Sequence, residues 1–240
     1  WQKEHLEWAD QARSDVVVLP WNVRFASLLP AIMRARARGV GTLLWGHGYS
    51  KNRASRGGVL RRRIANMATA LMFYNHTAAR RFVATGFDPC RVFVALNTID
   101  LQAVRAARDD ALADPARLPA FRKAEGLGDR PIVLFVSRLD PANRVGVLLE
   151  AAAILRARVP DLCVVIVGGG ADLERLKGIA ARLDLGDAAR FLGPVYEEAR
   201  LANWFLSASA YCYPANIGLS ILHAFGYGVP VVTGAAMASH

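Results

Sequence analysis

Arg138 stands two residues beyond the apolar, strand-like run Ile132–Val136, with Asn143 and Arg144 close behind it. A planar guanidinium at a strand's carboxyl end can grip a diphosphate bidentately and stabilise a departing anion without a metal ion. It can equally pair with Asp140 at the surface, and the residue alone leaves both readings open. A second candidate is Tyr213-Pro214-Ala215-Asn216-Ile217-Gly218-Leu219-Ser220, which passes from a strand into a helix. Gly218 permits close backbone approach there, and the N–H groups of a first helical turn attract phosphate. The plainer alternative is that Gly218 serves tight packing and Ser220 caps the turn. Gly168-Gly169-Gly170 closes another apolar run. His47, between Gly46 and Gly48 after Thr42–Trp45, can donate a hydrogen bond to a sugar hydroxyl, or can be a structural histidine satisfied by nearby backbone.

The elements that must position these residues alternate between strand and helix. In the amino-terminal part, Asp15–Leu19, Thr42–Trp45, Ala70–Tyr74 and Arg91–Ala95 read as short buried parallel strands. Phe25–Arg38 and Val59–Met67 have helical spacing; Leu60, Ile64, Met67 and Leu71 share one side and leave Arg61–Arg63 outward. Asp100 is placed to cap the next helix. Residues 101–130, rich in Ala, Arg and Asp and broken by Pro115 and Pro119, read as a helical linker. A second series follows: strands Pro131–Val136, Leu162–Val167, Arg190–Leu192, Ala210–Tyr213 and Val229–Val232. They alternate with helices Val145–Arg158, Ala171–Leu183, Glu197–Ser207 and Gly218–Phe225. The expected fold is therefore α/β, with two Rossmann-like, doubly wound parallel-sheet domains, residues 1–100 and 131–240, facing a cleft.

Composition narrows the class. Residues 1–97 carry 15 Lys and Arg against 5 acids, so the whole net charge of +10 is amino-terminal and the remainder is neutral. Such one-sided charge suits an anionic membrane surface, a phosphate-bearing acceptor or, as an alternative function, a basic nucleic-acid-binding protein, or it is simply a set of solvated helix faces. No apolar run reaches the ~18 residues of a membrane span. The chain starts at Trp1 without a signal-type segment, as expected for a piece of a longer protein. Cys90, Cys163 and Cys212 are far apart and offer neither a metal knuckle nor a disulfide framework, which suits a cytoplasmic setting. No two histidines have metal-ligand spacing and no D-x-D pair occurs, so no metal and no cofactor are expected. A dinucleotide fingerprint fails because Leu173 and Lys51 stand where the last glycine of G-x-G-x-x-G belongs, and neither glycine run ends in G-K-[ST]. The basic half lacks interleaved aromatic platforms, so no nucleic acid is expected as partner.

Taken together, Ser137-Arg138-Leu139-Asp140-Pro141, Gly168-Gly169-Gly170, Phe191-Leu192-Gly193 and Gly218-Leu219-Ser220 through Gly228-Val229-Pro230-Val231-Val232 resemble glycosyltransferase family 4 in order and spacing. Leu44-Trp45-Gly46-His47-Gly48 and Asn97-Thr98-Ile99-Asp100 are similar to its amino-terminal landmarks. The resemblance implies a retaining GT-B glycosyltransferase that moves a sugar from a nucleotide-sugar donor to a glycan or lipid-linked acceptor in envelope polysaccharide or glycolipid synthesis. It implies work in the cytoplasm or on the inner face of the membrane, and two domains that continue beyond this chain. Arg138 would act in catalysis and bind the donor diphosphate, Gly218, Leu219 and Ser220 would cradle it, and Gly168, Gly169 and Gly170 would line the nucleotide side. His47 would sit across the cleft near the reacting sugar. Asn216, Ile217 and His223 belong to the same donor motif. The family's lysine after the arginine falls on Asn143, with Arg144 beside it. Its two glutamates, separated by seven residues, fall on Ala215 and His223, which points to a variant subgroup with Ile-Gly-Leu-Ser and a histidine, or to a nucleotide-sugar-binding protein that has lost catalysis.

Overall fold

The computed structural model describes residues 2–10, 14–22, 24–48, 57–215 and 218–234. The chain divides between Asn97 and Thr98 into two compact units, each with its own apolar core.

In the first unit, strands β1 (Val16–Pro20), β2 (Gly41–Gly46), β3 (Ala70–Phe73) and β4 (Val92–Val94) form a parallel sheet in the order β1-β2-β3-β4. Helix α1 (Glu4–Glu7) precedes β1, and α2 (Leu28–Ala37), α3 (Gly57–Met67) and α4 (His76–Val83) connect successive strands. Every step runs the same way, and right-handed crossovers then place all three connecting helices on one face. The burial agrees: Leu28 and Ile32 of α2, Ile64 of α3 and Ala79 of α4 share a core with the alternate strand residues Leu19, Leu44, Leu71 and Phe73. The helices differ from the sequence expectation in several details. Leu60 was expected inward but is 51% exposed, because the buried face of α3 runs through Ile64 and Ala65. Arg62 and Arg63 are exposed as expected, whereas Arg61 is half-buried and its guanidinium acidity is altered by that burial. Helix α4 was not anticipated, since only Ala78 and Ala79 are buried along it; its start is marked by Asn75, whose side chain accepts from the Ala78 N–H at 2.7 Å.

In the second unit, β5 (Ile132–Val136), β6 (Cys163–Val167), β7 (Ala189–Gly193), β8 (Ala210–Tyr213) and β9 (Val231–Thr233) pair in parallel in the order β7-β6-β5-β8-β9. Its helices are α5 (Leu101–Ala113), α6 (Arg117–Ala124), α7 (Val145–Leu155), α8 (Leu173–Arg182), α9 (Glu198–Ser207) and α10 (Ser220–Gly226). Strand β6 is buried throughout and lies in register with β5 from Ile132↔Cys163 to Val136↔Val167, so an unbroken apolar run is what this position demands. From β5 the chain steps to β6 and β7, then returns past β5 to β8 and β9. With right-handed crossovers that reversal puts α7 and α8 on one face and α9 and α10 on the other. Double winding thus belongs to this sheet among the described residues. Cys90, Cys163 and Cys212 are free thiols.

The segment read as a linker contributes two helices to this unit. Val104, Ala111 and Leu127 are fully buried in its core, and Phe121 meets Trp204 of α9 edge-on at 4.9 Å. Pro115 falls between the helices and Pro119 within the first turn of α6, where proline is tolerated. Asp100 caps α5 by accepting from the Gln102 N–H at 2.8 Å. Leu127→Ala is expected to lower the unfolding free energy by about 2–5 kcal/mol, read by urea denaturation; a loss below about 0.5 kcal/mol would show that residues 101–130 merely connect.

Candidate functional site

Strand order reverses between β5 and β8, and in an open α/β sheet the crevice outside the carboxyl ends of those two strands is where a ligand binds. Three of the candidate segments leave the sheet here: Arg138 after β5, Gly168–Gly170 after the neighbouring β6, and Gly218–Ser220 after β8. Asn216 and Ile217 lie outside the described residues.

The loops after β5 and β6 run together as backbone against backbone. Ser137 N donates to the Val167 carbonyl at 3.1 Å, Leu139 N to Gly169 at 2.9 Å, and Asp172 N back to Leu139 at 3.1 Å. Side chains at two of the glycines would break this approach. A Cβ at Gly168 (φ +145°) would stand 1.9 Å from the Ser137 oxygen, and one at Gly170 (φ +156°) 2.3 Å from the Leu139 oxygen. The middle glycine differs, since its nearest neighbour would be Pro194 Cδ at 3.6 Å. Asp172, 3% exposed, locks the end of this loop through Arg175 Nε at 2.6 Å and Nη2 at 2.7 Å. The hydrogen bond from Arg175 holds the Asp172 carboxyl below the usual carboxylate range.

Leu139 is buried, and Arg138 beside it is exposed. The pairing with Asp140 does not occur: Asp140 Oδ1 accepts from Ala142 N at 2.8 Å and caps the short 3-10 turn Pro141–Asn143. Among the described residues Arg138 forms no ion pair. Asn143 is 5% exposed, and its side-chain amide donates to the Arg138 carbonyl at 2.7 Å. It therefore braces the arginine's backbone. Arg144 is exposed and left-handed (φ 52°, ψ 39°) at the start of α7, a conformation costing a non-glycine residue about 1–3 kcal/mol.

Two tyrosines of β8, to which the sequence assigns no role, tie the other side of the crevice. The Tyr211 hydroxyl lies 3.0 Å from the Val136 carbonyl and 2.7 Å from Ser220 Oγ; Tyr213 Oη lies 3.0 Å from Ser137 Oγ. Tyr211 is fully buried and burial pushes its phenol up. Ser220 is thus joined to the strand end, and α10 has no side-chain cap. Gly218 and Leu219 are exposed at the rim. His223, one turn into α10, stacks on Phe205 (centroids 6.1 Å, planes 12° apart) and lies 3.4 Å from Glu198 of α9. Ala215 is present where the resemblance expects a carboxylate.

In the first unit, His47 follows β2 and is exposed, with its ring 4.6 Å from that of Tyr74 at the end of β3. Its flanking glycines are dictated by packing. A Cβ at Gly48 (φ +71°) would meet Phe73 at 2.3 Å, and one at Gly46 would meet Trp21 Cβ at 3.1 Å. No group of three metal-ligating side chains occurs among the described residues.

Comparison with known proteins decides the family. The profile of the family described as glycosyl transferases group 1 matches residues 119–238, half of the chain and all of the second unit's candidate residues. The chain belongs to this family. A GDP-mannose-dependent alpha-(1-6)-phosphatidylinositol monomannoside mannosyltransferase of Mycolicibacterium smegmatis is 32% identical over 222 residues, covering 87% of this chain and 55% of that protein. A D-inositol 3-phosphate glycosyltransferase of Streptomyces griseus is 40% identical over 167 residues, covering 62% of this chain and 35% of its own length. The group 1 chain therefore spans about half or less of the length of these curated relatives. Among solved structures, Anabaena HepE in complex with UDP superposes with a TM-score of 0.76 at 18% identity, over 98% of this chain and 64% of that one. The two parallel-sheet units share the GT-B fold.

The glycine loop yields a contrast within three residues. Gly168→Ala is expected to cost about 3 kcal/mol or more in urea denaturation, because backbone atoms must move. Gly169→Ala is expected to stay within about 1 kcal/mol; equal costs would show that the β5 and β6 loops do not meet as described.

Proposed function

We propose that the protein containing this chain transfers a sugar from a nucleotide-sugar donor to a glycan or lipid-linked phosphate acceptor, with retention and without a metal ion. The observation that carries this is Arg138: an exposed guanidinium at the switch point of a doubly wound sheet, with its expected carboxylate partner turned away and its backbone braced by Asn143. Supporting it are the nucleotides named for the relatives, GDP-mannose for the mycobacterial enzyme and UDP for HepE. In this reading Arg138, with Arg144 nearby, meets the donor diphosphate, and the backbone of Gly168–Gly170 leaves room for the nucleotide. As the bond from the sugar's anomeric carbon to the diphosphate breaks, negative charge grows on the leaving oxygen. Arg138 stabilises that charge, and the acceptor's hydroxyl proton passes to the departing diphosphate. His47 contributes a hydrogen bond to a sugar hydroxyl or to the acceptor. Ala215 favours one second reading, a nucleotide-sugar-binding protein without transfer, which differs in binding a donor intact.

The exposed side of α3 supports the inner membrane surface as a place of work. Val59 and Leu60 are 66% and 51% exposed beside exposed Arg62 and Arg63, and each basic residue near an anionic leaflet adds about 1 kcal/mol. No described helix is long and apolar enough to cross a membrane.

Two measurements test these readings. UDP or GDP at a hundred times its dissociation constant should stabilise the chain by about 2.7 kcal/mol in a thermal-shift assay, and Arg138→Ala should remove the shift. Absence of any nucleotide effect on the unaltered chain would overturn donor binding. In liposome flotation the chain should float with vesicles containing anionic lipid, and equal flotation with neutral vesicles would overturn the membrane proposal.

A further inference from the structure

Helices α5 and α10 meet at a glycine. A Cβ at Gly226, the last residue of α10, would stand 2.6 Å from Cγ1 of the buried Val104 and 3.8 Å from Cδ2 of Leu101, so the helices pack this closely only without a side chain there. Beside the contact they leave an open groove of about 270 Å³, against the roughly 30 Å³ that one water occupies. Leu101 of α5 and Leu222 and Phe225 of α10 give it apolar walls. Leu101 is exposed, Leu222 is half-buried, and Phe225 is 59% exposed. Arg105, Arg108 and Thr98 supply the polar lining. The groove lies at the carboxyl end of α10, whereas the crevice lies at its start; the rise from Ser220 to Gly226 is about 9 Å.

The two arginines are in different states. Arg108 Nη1 donates to the Gly226 carbonyl at 3.1 Å, and its Nε and Nη2 reach Asp109 Oδ1 at 3.1 and 3.0 Å. Its side chain is fixed and its charge is matched. Arg105, one turn earlier on α5, is exposed and forms no ion pair among the described residues. The acid within helical reach of it, Asp109, is taken by Arg108, and Asp100 caps the helix. The Thr98 hydroxyl has only a 3.4 Å contact with the adjoining Ile99 carbonyl, long for an O–H donor. Exposed apolar side chains scattered singly are ordinary, but here three line one groove beside an unmatched guanidinium. Such a groove offers two kinds of recognition at once: bidentate donors for an anion and apolar surface that gains from being covered.

We propose that the groove between α5 and α10 is a second ligand site, which binds a small amphiphilic phosphate monoester. Its phosphate sits on Arg105, flanked by Arg108 and Thr98, and its apolar body lies between Leu101, Leu222 and Phe225. A phosphate suits this lining better than a carboxylate does, because two guanidiniums and a hydroxyl supply donors for three terminal oxygens. The volume takes a phosphate with a short chain and excludes the two long chains of a bilayer lipid, so the ligand is a soluble one. None of the donor-site candidates lines the groove, and the proposal stands independently of the transferase reading.

Calorimetric titration of the 240-residue chain with hexyl phosphate, inorganic phosphate, hexanoate and 1-hexanol tests the assignment. Arg105→Gln and Phe225→Ser are the variants; both side chains are exposed, and melting temperatures confirm that the variants fold. Hexyl phosphate is expected to bind the unaltered chain about tenfold or more tighter than each of the other three probes. Arg105→Gln should weaken it about tenfold, and Phe225→Ser should remove its advantage over inorganic phosphate. Saturating UDP should leave its affinity unchanged, since the groove and the crevice are separate. Competition by UDP would place the ligand in the crevice and overturn the proposal. So would hexyl phosphate that binds no tighter than inorganic phosphate, or a folded Arg105→Gln that binds it as the unaltered chain does. Hexanoate that binds as tightly as hexyl phosphate would overturn the assignment to a phosphate.

Discussion

The loops that leave β5 and β6 touch through backbone atoms, and the rest of the candidate site depends on that contact. There is no room for a side chain at Gly168 or Gly170, so the carbonyls of Ser137 and Leu139 can face the second loop directly, while the Ser137 and Leu139 N–H groups donate to β6 and its loop and the Leu139 carbonyl accepts from Asp172 N. This fixes the course of the three residues Ser137, Arg138 and Leu139. With Leu139 drawn into the core, the side chain between the two inward contacts is carried outward, and that side chain is the guanidinium. Asp140 and Asn143 then finish the loop by local hydrogen bonds of their own. A charge held this way needs no ion pair to fix its backbone, and the guanidinium remains available to a ligand.

The opposite wall of the crevice is made differently. Where β6 and its loop rely on absent side chains, β8 relies on large ones: Tyr211 and Tyr213 are buried to within 2% and reach hydroxyls and carbonyls at the end of β5. Each phenol places a polar tip inside an apolar layer and finds a partner there, as a buried tyrosine must. Phe205 extends that layer to His223 and Tyr227, so the start of α10 is held by ring packing and by Ser220's bond to Tyr211 in place of a capping side chain. The first unit shows a third solution. Its four strands step in one direction, the helices gather on one face, and the turn bearing His47 is shaped by Phe73 and Trp21 against its two glycines.

Much of this architecture was legible in the residues. The buried strands announce themselves as apolar runs because parallel strands covered on both faces have no polar side to show, and Ile132–Val136 and Cys163–Val167 are found within a residue or two of where composition places them. Family membership was legible as well, since the order of Arg138, the triple glycine and Gly218–Ser220 is carried by type and spacing. Helix α4 was not legible, because only two small residues along it are buried. The linker reading of residues 101–130 rested on prolines and alanines, whereas Val104, Ala111 and Leu127 show that small and apolar residues there pack into a core supplied by distant sequence.

The sequence by itself determined the α/β class, the strand positions, the glycines without which the loops could not close, and an arginine just past a strand end. Those properties are local: they follow from side-chain size, periodicity and the conformational freedom of glycine. Only the tertiary structure decided which residues share the crevice and in what state. It turned Asp140 away from Arg138, turned Asn143 inward, joined Ser220 to Tyr211 and brought Glu198 from α9 to His223 on α10. The reason is that these contacts depend on strand order and on helices meeting across a sheet, and neither is encoded in spacing along the chain.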